Sequence, residues 1–156
     1  MNDRLKTIVD LEKYPIQDLN SLEIKELIKK CKSDLDQFSC ATIPNFILHK
    51  SLKIMNAELE KQIGEVYMSK KSINAYLYSK DDPALAKYHP KRIFMKRDNG
   101  YLNSDLFDNN SEMKFLYEQE ELLKFVSACL GISPIYRWAD PLACHAYNVM
   151  KPEGIL

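Results

Sequence analysis

Three histidines (His49, His89, His145) and four cysteines (Cys31, Cys40, Cys129, Cys144) are the side chains of this sequence best suited to hold a metal or act as nucleophiles. Their spacing favours neither role. His145 follows Cys144 directly, and adjacent residues on a strand point to opposite faces. His89 sits beside Pro90 in a polar stretch, and His49 lies near a helix start. No pair of histidines, or of histidine and carboxylate, has the close spacing of an iron facial triad, and no CxxC pair offers zinc ligands. The isolated cysteines, each within or beside an apolar pattern, read as buried free thiols of a reducing compartment rather than a disulfide framework. The expectation is no metal site and no catalytic residue within this chain.

Residues suited to binding are easier to find. Arg92 and Arg97 flank a strand-like run, and a guanidinium is the natural fork for a carboxylate; a solvated surface role remains open for both. Arg137 lies between Tyr136 and Trp138, aromatics expected to be buried, and is expected to pair with an acid such as Asp140. Glu118, Glu120 and Glu121 open a helix, where negative charge suits the dipole. Tyr101, Asn103 and Asp105 alternate along one face and can wall a polar pocket. On the last strand Tyr147 and Val149 share one face, while Ala146, Asn148 and Met150 share the other.

The elements that position these groups follow from pattern. Residues 1–19 read as a loosely ordered lead-in broken by Pro15, and residues 20–156 as part of a single domain. Asn20 and Glu23 have the form of a capping box. The helix it opens carries Ile24, Leu27, Ile28, Cys31, Leu35 and Phe38 at spacings of three and four, an apolar stripe. Cys40 to Ile43 reads as a short strand stopped by Pro44. A second helix, 50–68, carries Leu52, Met55, Leu59, Ile63 and Val66 inward, with Glu58 facing water. Ile73 to Tyr78 and Arg92 to Arg97 read as strands, the latter closed by a turn at Asp98-Asn99-Gly100. Ser111 caps a short helical turn, and Glu121 to Leu130 forms a helix stopped by Gly131. Ile135 to Trp138 and Cys144 to Met150 read as strands, and Lys151 to Gly154 as a turn.

Composition narrows the function. The chain has 156 residues, 46% hydrophobic and 28% charged, with 22 basic against 22 acidic residues. A zero net charge without a basic stripe argues against nucleic-acid binding. No run of about 18 apolar residues predicts a membrane span, and Met1 to Asp10 has no apolar signal core, so a cytoplasmic protein is expected.

Several segments, in order, carry a resemblance. They are Asp34-Leu35-Asp36 through Cys40-Ala41-Thr42-Ile43-Pro44-Asn45-Phe46-Ile47, Asp81-Asp82-Pro83 with His89-Pro90-Lys91-Arg92, and Asn99-Gly100-Tyr101-Leu102-Asn103-Ser104-Asp105. The clearest is Tyr136-Arg137-Trp138-Ala139-Asp140-Pro141-Leu142 running into Tyr147-Asn148-Val149-Met150-Lys151-Pro152-Glu153-Gly154. Over residues 30–156 the chain resembles the N-terminal part of iron(II)/2-oxoglutarate-dependent oxygenases related to amino-acid hydroxylases and lysine-type halogenases. The resemblance implies an α+β fold, with N-terminal helices packed on an incomplete double-stranded β-helix (jelly-roll). It implies Fe(II) and 2-oxoglutarate as cofactors of the intact parent, and a small amino-acid-like substrate.

In that family a His-x-Asp/Glu…His triad holds iron, a Gly replacing the carboxylate in halogenases. The first His lies just beyond the Pro-Glu-Gly turn. The chain ends at Leu156 before it, so neither cofactor is expected to bind productively and the chain reads as a cut oxygenase. In the jelly-roll that the resemblance implies, an inward polar residue of the last strand touches 2-oxoglutarate, Asn148 being the first choice and Tyr147 the second because alternation does not say which face is inside. Glu120 is carried over from the lysine-directed relatives as partner of a substrate ammonium, while Arg92 as a carboxylate fork and Asn103 and Asp105 in the substrate pocket rest on their own chemistry and alternation. The alternative is a short non-catalytic binding or assembly module that self-associates through an exposed sheet edge.

Overall fold

The structure, a computed structural model, describes residues 3–150. The turn expected at Lys151 to Gly154 lies outside them. Helices α1 (Leu5–Ile8), α2 (Leu22–Phe38) and α3 (His49–Lys61) precede strands β1 (Tyr67–Asn74) and β2 (Phe94–Asn103). Then come α4 (Glu112–Tyr117), α5 (Glu120–Leu130) and β3 (Ala146–Val149). The strands form one antiparallel sheet in the order β1-β2-β3. The architecture is α+β, with helices gathered at one side of a three-stranded sheet.

The expected lead-in is instead central to the core. Leu5, Ile8, Val9, Tyr14 and Ile16 are all buried. Leu5, Ile8 and Val9 pack with Met55 and Leu116, while Tyr14 and Ile16 join Ile24, Cys31, Phe125 and Cys129. Leu11, Phe46 and Leu122 touch both groups and fuse them. The segment is tied by backbone rather than by a long helix: Val9 bridges Ile47, Asp10 N donates to Phe46 O at 3.0 Å, and Leu48 N to Ile8 O at 2.8 Å. A four-residue helix has no periodicity to read, which is why pattern missed it.

Helix α2 buries the expected stripe at Ile24 and Cys31. Its cap is Ser21, whose Oγ accepts from Ile24 N at 3.4 Å, one residue from the expected Asn20. Phe38, expected inside, is exposed because the helix ends beside it at left-handed Ser39. Helix α3 stops at Lys61, and its buried face runs through Ser51 and Met55, leaving Leu52 outside. Ser51 Oγ donates to Thr7 O at 2.9 Å, which satisfies the buried hydroxyl. Glu58, expected in water, accepts from Ser111 Oγ at 2.9 Å and Glu112 N at 3.1 Å, joining α3 to the start of α4.

Strand β1 begins six residues earlier than expected and ends at Asn74, where the expected strand had barely started. Strand β2 runs straight through Asp98-Asn99-Gly100, the expected turn. Lys70, Ser69 and Met68 of β1 stand opposite those three residues, and the ladder overrides the local turn preference. Gly100 is needed for this pairing. A Cβ there would lie 2.4 Å from Val66 Cγ1 and 2.5 Å from Met68 Sδ. Neither 40–43 nor 135–138 forms a strand. Of the expected final strand, Ala146–Val149 pairs with β2. Gly131 ends α5 as expected, with φ 68°.

Candidate functional site

The pleat divides the sheet into two unlike faces. One face turns toward the helices. There Leu102 is fully buried, and Tyr147 packs its ring 5.0 Å from Phe107. His145, just before β3, lies between Phe107 and Tyr117 at 6.3 and 5.7 Å. Burial pushes the Tyr147 phenol up to about 12, with Glu58 adding to the effect. Burial also holds the His145 imidazole below its ordinary value, aided by Lys114 and opposed by Glu118.

The other face carries the candidate site, a groove of about 440 Å³. Its lining reads off the register in cross-strand rows. Tyr67 of β1 faces Tyr101 of β2, their rings 5.3 Å apart, and Tyr101 faces Asn148 of β3. The next row is Ser69 opposite Asn99, and the next is Lys71 opposite Arg97. Ile73 and Leu77 close the far end. Successive rows stand about 6.6 Å apart along the strands.

The Lys71–Arg97 row is electrostatically unusual. Like charges directly opposite on antiparallel strands repel, and among the described residues neither has an acid partner. The neighbouring row on the other face shows the ordinary solution, Lys70 opposite Asp98 at 3.2 Å. Among the described residues no Asp or Glu lines the groove. Two unpaired cations with the Ser69 hydroxyl and the Asn99 amide in the next row form a receptor for a carboxylate, and the Asn148 amide stands one row further along.

The far end is held by Asn74, which is 2% exposed. Its Oδ1 accepts from Tyr76 N at 2.9 Å and Tyr78 N at 3.0 Å, and its Nδ2 donates to Lys91 O at 2.6 Å. This side-chain-closed turn replaces the strand expected over 75–78. It places Leu77 at φ 65°, a left-handed conformation costing a non-glycine residue about 1–2 kcal/mol.

The expected site residues divide. Asn148 lines the groove and Asn103 shares its face at the end of β2, beyond the lining. Tyr147 points to the opposite face. Asp105 leaves the alternation because β2 ends at Asn103 and a 3-10 turn, Ser104–Leu106, begins. Arg92 is no free fork. Its Nε and Nη2 grip Asp81 at 2.9 and 2.8 Å, and Nη1 donates to Leu85 O at 3.0 Å. That hydrogen bonding holds the Asp81 carboxyl below its usual range.

Glu120 lies apart, beside a hollow of about 550 Å³ between α2 and α5. Arg137 holds it at 2.7 Å while donating to the Glu118 and Tyr117 carbonyls at 2.9 and 3.2 Å. The partner of Arg137 is thus Glu120 rather than Asp140, and flanking Tyr136 and Trp138 are exposed, not buried. Lys71, Ser69 and Asn99 were missed because β1 was placed too late and β2 ended too early. The period-two run Tyr67, Ser69, Lys71, Ile73 was the available signal.

No family model, curated protein or solved structure matches the chain. Among the described residues no helix is long and apolar enough to cross a membrane.

Proposed function

We propose that the chain is the ligand-binding wall of an iron(II)/2-oxoglutarate-dependent oxygenase domain that hydroxylates or halogenates a small, amino-acid-like metabolite. In this reading the sheet is part of a double-stranded β-helix, in a cytoplasmic setting. The observation that carries it is the unpaired Lys71–Arg97 row in a groove with Asn99 and Asn148. A dicarboxylate such as 2-oxoglutarate fits this donor set, with one carboxylate on the cations and the amides within the next rows. Among the described residues no group of three or more His, Cys, Asp or Glu is placed to hold a metal ion, and no step is assigned to iron here. The groove's share of the reaction is therefore to bind and orient carboxylates.

Calorimetry with 2-oxoglutarate, together with a succinate assay in the presence of Fe(II) and ascorbate, tests the proposal. The expected result is binding that Arg97→Ala abolishes, with no succinate formed by the isolated chain. Robust iron-dependent turnover by residues 1–156, or no binding, overturns it.

A second reading, a non-catalytic assembly module, draws on a specific feature. β1 and β3 each leave an outer edge unpaired among the described residues, and Tyr136, Trp138 and Leu142 are exposed nearby in sequence to β3. Sedimentation that shows a concentration-dependent dimer, with no carboxylate binding, would favour this reading.

A further inference from the structure

We infer that the part of the groove beyond the Lys71–Arg97 row takes the aliphatic, uncharged tail of a carboxylate, and that Leu77 is the residue that sets this preference. The inference rests on the carboxylate-binding reading above and adds the chemistry of the ligand's other end. It departs from a lysine-type substrate.

Three observations meet here. Among the described residues the lining contains no Asp or Glu, so an ammonium carried to the far end meets no counter-charge from them. Glu120, the acid that the resemblance offers for that task, is engaged by Arg137 at 2.7 Å and lies apart from the groove. Beyond the Lys71–Arg97 row, Ile73 and Leu77 supply hydrocarbon. With a carboxylate seated on that row, a tail extending one row, about 6.6 Å, arrives against these two side chains. A tail ending in ammonium would find no counter-charge there among the described residues and would approach two like charges on the way.

Leu77 reaches this position at a cost. It is 71% exposed and left-handed, so neither burial nor backbone preference accounts for a leucine at this turn. Gly or Asn would suit the backbone better. The turn is fixed by the buried Asn74 rather than by Leu77 itself. A strained backbone held by its surroundings is how a side chain is aimed at a ligand.

Norleucine and lysine test the inference, because they share the α-amino acid head and differ in the terminal ammonium. Binding of each to the full chain is followed by NMR titration, with 2-oxoglutarate as the control ligand. The expected result is norleucine binding at least about tenfold tighter than lysine. Leu77→Asp, at an exposed left-handed position where Asp is well tolerated, should reverse the order of norleucine and lysine. Equal binding of norleucine and lysine, or an order unchanged in Leu77→Asp, overturns the inference. So does 2-oxoglutarate binding with neither amino acid bound, and that outcome leaves the carboxylate site standing. Failure of all three ligands overturns the carboxylate site itself.

Discussion

Replacing Asn74 by Ala should loosen the end of the groove and destabilise the protein measurably. The side chain makes three hydrogen bonds from a position 2% exposed, two accepted from Tyr76 N and Tyr78 N and one donated to Lys91 O. Each is worth about 1 kcal/mol net, and stranded backbone groups add to the loss where water cannot reach them, giving about 2–4 kcal/mol in all. For a chain of this length that lowers Tm by roughly 5–15 °C. Urea unfolding gives the stability and amide exchange gives its location. The Tyr76 and Tyr78 amides should lose protection in the variant while core amides of α2 and α5 keep theirs relative to the new global stability. Asn74→Asp keeps both acceptor bonds but sets a carboxylate oxygen against Lys91 O at a buried position, so it should leave those two amides protected without restoring the lost stability. A stability change below about 0.5 kcal/mol with unchanged exchange at Tyr76 and Tyr78 would refute the reasoning.

Gly100→Ala should cost about 1–3 kcal/mol in urea unfolding, because the new Cβ would fall 2.4 Å from Val66 Cγ1, on a stiff β-branched side chain; an unchanged midpoint would show that the β1–β2 contact yields freely. His145 should make stability depend on pH. Burial depresses its folded-state pKa below 6.5, so the unfolded chain takes up the proton first. Its contribution is complete above 6.5 and declines as pH falls from there through the folded-state value. Denaturant midpoints between about pH 5 and 7.5 should fall more steeply with acid in the native protein than in His145→Gln; parallel slopes would contradict this.

Long periodic elements were legible in the sequence. The stripe from Ile24 to Cys31 and the Gly131 stop each predict what the structure shows, since helical period and a left-handed glycine are local properties. What pattern could not supply depends on distant partners. Leu5, Ile8 and Val9 enter the core through contacts with Met55 and Leu116, not through any period of their own. Asp98-Asn99-Gly100 looks like a turn until Lys70, Ser69 and Met68 stand opposite it. The site suffered from the same limit. Alternation offered both Asn148 and Tyr147 without saying which face is inward, while Arg92 was taken for a fork because nothing in the sequence announces that Asp81, eleven residues earlier, already fills it. Glu120 could be recognised as a helix-opening acid, but its tie to Arg137 belongs to the fold.

The most direct test of the account is a map of where 2-oxoglutarate touches the protein, by amide and side-chain NMR shifts in a titration of the full chain. The account predicts saturable shifts with Kd about 1 mM or tighter, centred on Lys71, Arg97, Asn99 and Asn148, and absent in Arg97→Ala. Shifts centred on Glu120 and the hollow between α2 and α5, or none at all, would contradict it.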